Sequence, residues 1–228
     1  MKKLFLLLII LTTVSLENNY AQTILKPNFA VSSHPVTIDK IISTDTSFVV
    51  QITLENKLPN GYFCAGKDIV VKSINNSKKY AMIYSKGIPV CPEVYHFKWV
   101  GEKKTFSFYF PAIDTSLNYV NLVENCKANC LVINGLILNR TMNTLVNSAF
   151  DAYSHNNLPL ALDNFKSAIN LFPNYPNGFL YGNVVKILLE QKKPKEAIQW
   201  GQKLRDSQII DKYSILKQLE KEKGFSVE

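Results

Sequence analysis

The feature that most constrains this chain is a change of hydrophobic period at Arg140-Thr141. Before that point, Thr105-Phe106-Ser107-Phe108-Tyr109-Phe110 alternates strictly. A period of two places every second side chain on one face of a β-strand. After it, apolar residues recur at three and four, as in Leu145, Ala149 and Tyr153, then Leu160, Phe165 and Ile169. That spacing lines one face of an α-helix. The chain is therefore read as α+β in two domains, an all-β part at 24–139 followed by an all-α part at 142–226.

In the first part, short runs rich in Val, Ile, Thr, Tyr and Phe are broken by Gly, Pro, Asn and Asp, as strands are. The runs predict strands over Val36 to Ser43, Ser47 to Glu55, Ile69 to Ile74, Lys79 to Tyr84, Glu93 to Val100, Lys104 to Pro111, Tyr119 to Glu124 and Leu131 to Leu138. Seven or eight strands at this spacing suit a β-sandwich. Phe106, Phe108 and Phe110 should supply much of its core. Within Val94 to Trp99, alternation sets His96 and Lys98 opposite Tyr95, Phe97 and Trp99, which predicts a solvent-side histidine and a core tryptophan.

In the second part, Asn156-Asn157 separates two helices. The next helical pair is Phe179 to Leu188 and Glu196 to Leu204, joined by Lys192-Lys193-Pro194. A last amphipathic stretch, Ile210 to Glu222, reads as a capping helix.

The ends and cysteines carry information about compartment. Lys2-Lys3, the apolar run Leu4 to Leu11 and the polar stretch ending at Ala21 have the order of a secretory signal peptide at 1–21, with cleavage near Ala21. The apolar run is too short for a transmembrane anchor. A periplasmic or secreted protein is expected, and in that oxidising setting Cys64, Cys91, Cys126 and Cys130 become disulfide candidates. Four cysteines allow three pairings. Cys126 with Cys130 flanks a short loop, and Cys64 with Cys91 would join two loops of one sheet, so that pairing is expected.

The formal net charge of the full chain is +8. Its lysines are scattered, as in Lys78-Lys79, Lys103-Lys104 and Lys192-Lys193-Pro194-Lys195. No arginine-rich, aromatic-interleaved stripe that reads nucleic acid is formed, so no nucleic-acid partner is expected. No glycine-flanked nucleophilic serine, paired metal histidines or phosphate-cradling loop stands in the chain. The expectation is a protein without catalytic residues, metal or cofactor.

Two resemblances add to this reading. Gly87-Ile88-Pro89, the hairpin at Gly101-Glu102-Lys103, Phe106 to Pro111 and Val120-Asn121-Leu122-Val123-Glu124 resemble a β-sandwich module common in exported proteins of the Bacteroidetes. That resemblance implies an immunoglobulin-like sandwich acting as a scaffold or accessory module. Asn121 stands where the module usually carries aspartate. Ala161-x3-Phe165, Ala168 and Pro173 resemble the later half of the tetratricopeptide repeat (TPR), with a degenerate second copy 36 residues on at Ala197. This resemblance implies a TPR-like array whose groove binds a protein or peptide partner in the cell envelope. By position, Asn143, Val146, Phe150 and Tyr153 would line that groove, with Lys186 and Leu189. The alternative function is glycan binding through loop aromatics such as Tyr62, Phe63 and Tyr95.

Overall fold

The computed structural model describes residues 22–74, 78–222 and 225–226. The expected signal peptide at 1–21 lies outside them. Twelve strands come first in the described chain: β1 Gln22–Leu25, β2 Val31–Ser32, β3 Val36–Ser43, β4 Ser47–Glu55, β5 Tyr62–Phe63, β6 Ile69–Ser73, β7 Lys79–Ala81, β8 Tyr84–Lys86, β9 Tyr95–His96, β10 Lys103–Pro111, β11 Tyr119–Glu124 and β12 Val132–Ile137. Five helices follow: α1 Arg140–Ser154, α2 Leu158–Leu171, α3 Phe179–Glu190, α4 Pro194–Asp206 and α5 Lys212–Leu219.

The strands form two five-stranded sheets, ordered β1-β3-β4-β10-β8 and β2-β12-β11-β6-β7, and a two-stranded ribbon of β5 and β9. Every strand pair is antiparallel. Strict alternation lets each large sheet turn one apolar face inward. Phe106, Phe108 and Phe110 from β10 and Phe48, Val50 and Ile52 from β4 share one core with Ile69, Val71, Leu122 and Ile133 of the second sheet. Burying aromatic and branched side chains on both sheets stabilises their apposition.

The expected strand over Lys79 to Tyr84 divides in two because the chain changes sheets there. Met82 N donates to Ile69 O at 2.9 Å in the second sheet, and Ile83 N donates to Tyr109 O at 2.7 Å in the first. The expected strand from Glu93 to Val100 shrinks to Tyr95–His96, since its remainder turns back to reach Gly101.

The helices are bounded by local chemistry. Asn139 and Asn157 cap α1 and α2 by accepting from Met142 N and Leu160 N. Pro159 and Pro194 occupy the first turns of α2 and α4, where a missing N–H costs no hydrogen bond. The helical core takes in Tyr119 and Ile137 from the second sheet together with Val146, Phe165, Val184, Leu188 and Leu204.

This corrects the expected fold class of an immunoglobulin-like sandwich followed by an all-α TPR-like array. Twelve strands lie in three antiparallel sheets, and the helical part is only five helices, the last of eight residues. The 36-residue echo of Ala161 at Ala197 records two small residues at close helix crossings, both fully buried. Helix pairs need such contacts in any close packing, so the spacing alone did not define a repeat array.

Candidate functional site

The six residues predicted to line a groove divide into two groups. Asn143 and Val146, on the first turns of α1, are not on an open surface. Asn143 is 4% exposed. Its Oδ1 accepts from Asn28 N at 2.8 Å and from Asn28 Nδ2 at 2.9 Å, while its Nδ2 donates to Leu25 O at 3.3 Å. Asn147 extends the clip, accepting from Asn28 Nδ2 at 2.8 Å and donating to Lys26 O at 3.3 Å. The chain between β1 and β2 therefore lies along the start of α1, and Val146 is fully buried.

Phe150 and Tyr153, one and two turns further on, face outward at 39% and 41% exposure. Phe150 sets its ring against the buried Phe165 edge, with centroids 5.2 Å apart. The Tyr153 hydroxyl donates to Glu190 Oε1 at 2.6 Å. That hydrogen bond, with burial and the charges of Glu190 and Glu222, raises the Tyr153 phenol above its ordinary range. Lys186 pairs with Glu222 at 3.7 Å, and Leu189 is half-buried against the helical core. Phe150, Tyr153, Lys186, Glu190 and Glu222 thus form one amphipathic surface across α1, α3 and the segment after α5. It offers ring edges, one cation and two carboxylates to a ligand.

A second exposed surface lies on the ribbon. Tyr62 and His96 pair across β5 and β9 with ring centroids 6.2 Å apart. Their neighbours Phe63 and Tyr95 turn the other way, and Phe63 stacks on Phe106 at 5.6 Å. Tyr62 is 65% exposed. His96 faces solvent as alternation predicted, whereas Trp99, expected in the core, is 60% exposed.

The reason is Asn56, which sequence reasoning missed. Asn56 is buried; its Nδ2 donates to Trp99 O at 2.8 Å, and its Oδ1 accepts from Leu58 N at 3.2 Å. Gly101 N donates to Asn56 O at 2.7 Å. These bonds fold residues 97–101 into a turn, which breaks the alternation that assigned Trp99 to the core. Gly61 lies so close that an added Cβ would fall 2.0 Å from Asn56 Oδ1. Glu102 closes the turn, accepting from the Tyr95 hydroxyl at 2.6 Å and from Lys98 N at 2.5 Å, which together hold its carboxyl below the usual range.

Both expected disulfides are present. Cys64 joins Cys91 with Cα atoms 5.2 Å apart, and Cys126 joins Cys130 at 5.5 Å. Such bonds persist in oxidising compartments. His34 lies near the second one. Its Nδ1 is 2.9 Å from Ser33 Oγ, which itself donates to Cys130 O at 2.8 Å. Burial lowers the His34 pKa, against a smaller raising effect of Glu124. Among the described residues, no three His, Cys, Asp or Glu side chains are placed to hold a metal ion. No helix among them is long and apolar enough to cross a membrane.

Compared with known proteins, the chain matches no family model, no curated protein and no solved structure.

Proposed function

We propose that this is an exported, non-catalytic interaction protein that holds a protein or peptide partner on the helical surface around Phe150 and Tyr153. The observation that carries the reading is the exposure of these two aromatics on a helix whose remaining apolar residues are packed. Clustered exposed aromatics beside charged side chains favour protein contacts, because their rings bury large area at little entropic cost. The Tyr153–Glu190 and Lys186–Glu222 pairs hold the surrounding side chains in fixed positions. A partner meeting this surface loses less side-chain entropy than on a mobile one.

The two disulfides support residence in the periplasm or outside the cell, with cleavage near Ala21 releasing the mature chain. The partner belongs to the same compartment and is not nucleic acid.

The test is a crosslinking capture from envelope extract with the mature protein and a Tyr153→Asp, Lys186→Glu variant whose fold is checked by circular dichroism. Loss of a captured partner by the folded variant supports the reading. Equal capture by both proteins, or no capture by either, sinks it.

A further inference from the structure

Among the described residues, no helix packs on the outward face of the first large sheet, where Val49, Gln51, Ser107 and Tyr109 are half-buried. Its strand registers place one side chain per strand in rows that run across the sheet. Tyr84 pairs with Tyr109, Tyr109 with Val49, and Val49 with Ile42. This row is apolar and crosses four strands. The adjacent row is polar: Lys86 pairs with Ser107, Ser107 with Gln51, and Gln51 with Lys40. Alternation assigns both rows to solvent, since the intervening Phe48, Val50, Phe108 and Phe110 point into the core.

At the sheet edge Tyr84 is 49% exposed, and its ring stacks on Tyr109 with centroids 4.2 Å apart. The stacked rings form a wall beside the Val49 and Ile42 side chains.

We propose that this face binds an acidic polysaccharide lying across the strands. Strands are spaced by about 4.8 Å, nearly the advance of one pyranose unit in a 1,4-linked chain. Each sugar would then meet one apolar residue, which takes its C–H face, and one polar residue, which takes its hydroxyls. Lys40 and Lys86 stand at opposite ends of the polar row, and neither has an ion-pair partner among the described residues.

Two carboxylates lie nearby. Asp39 accepts from the Thr53 hydroxyl at 2.7 Å, and Glu55 pairs with Lys57 and Lys103. The Thr53 hydroxyl leaves the charge of Asp39 in place, but Lys40 and Lys86 outnumber it, so the face is net positive on a chain of net charge +8, which complements carboxylated sugars. Tyr62 on the two-residue ribbon and Trp99 in the turn after it lie on no comparable row of paired strands among the described residues, so the sheet face is the better fit for a chain of sugars. This site is separate from the helical surface and does not depend on it.

The test measures binding of the mature protein to polygalacturonate by isothermal titration calorimetry, with hydroxyethyl cellulose as the uncharged comparison. Five variants are compared: Lys40→Ala with Lys86→Ala, Gln51→Ala, Tyr109→Ala, Tyr62→Ala with Trp99→Ala, and the charge-matched Lys192→Ala with Lys195→Ala. Circular dichroism confirms their folds, and Gln51→Ala serves if Tyr109→Ala fails to fold.

The expected result is preference for polygalacturonate, weakened by roughly tenfold or more in the sheet-face lysine pair, as for loss of one or two charge-assisted hydrogen bonds. Gln51→Ala and Tyr109→Ala weaken it too, and the Lys192, Lys195 pair leaves it unchanged. Equal weakening by both lysine pairs would mean attraction by net charge alone and overturns the proposal. So do preference for the uncharged polymer, loss only on Tyr62→Ala with Trp99→Ala, and capture of an envelope protein by this face without polysaccharide affinity.

Discussion

The Tyr175 hydroxyl donates to the Gly135 carbonyl at 2.6 Å and so ties the helical part to the second sheet. Gly135 lies at the irregularity where β11 and β12 shift register, with φ of +66°. Its N–H donates to Asn121 Oδ1 at 2.8 Å, giving Asn121 a structural role. An added Cβ there would fall 2.5 Å from the Tyr175 hydroxyl and 2.4 Å from Asn177 Nδ2. Glycine is required twice over, by the left-handed backbone and by the close approach.

Tyr175→Phe should therefore lose about 1–2 kcal/mol of stability, leaving the Gly135 carbonyl buried without this donor. Gly135→Ala should cost more, because it adds backbone strain to the clash. Urea unfolding of both variants checks the order. A Gly135→Ala protein as stable as wild type would show that the two parts are not held by this junction.

Phe108→Ala should cost about 3–5 kcal/mol, since the ring is fully buried between the two large sheets. The same substitution at Tyr109, its outward-facing neighbour, should cost less. A smaller loss at Phe108 than at Tyr109 would reverse the assignment of faces on β10.

Opening the Cys64–Cys91 bond, which closes a separation of 27 residues, should cost about 3–4 kcal/mol. Opening Cys126–Cys130, with a separation of 4, should cost about 2 kcal/mol. Thermal melts of Cys64→Ala with Cys91→Ala and of Cys126→Ala with Cys130→Ala measure both, and the first should melt lower.

Stability should fall with acidification through His34. Its pKa is lowered in the folded protein from the usual 6.5 by burial. Below pH 6.5 the unfolded chain takes up a proton that the folded chain resists, so this contribution is present above 6.5 and is lost as the pH falls toward the folded pKa. His34→Asn should flatten the slope of stability against pH just below 6.5. An unchanged slope would assign it to other groups.

Much of the first sheet was legible because β4 and β10 alternate over six or more residues, enough for a period to declare itself. β2 and β5 have two residues each and carry no period at all. Trp99 was misplaced because a buried amide 43 residues away turns its loop. Of the residues expected to line a groove, Phe150 and Tyr153 lie on the outward side of α1, whereas Asn143 is covered by a segment 115 residues earlier. Helical periodicity identifies a buried face without naming what buries it. For that reason the fold class required the packing of Tyr119 and Ile137 into the helical core, a contact no local pattern encodes.

The amide clip of Asn28 with Asn143 and Asn147 sets an order of events for a chain that emerges from its first residue onward. Asn28 cannot settle until more than a hundred further residues have arrived, because its side chain bonds to Asn143 and Asn147 on α1 and its carbonyl accepts from Ile137 N on β12. Contacts of such long sequence separation form late and slow the approach to the native state. A chain stopped before Asn143 would thus lack the α1 partners of the segment that follows β1, and a protease added during refolding should cut near Lys26 until the helices have docked.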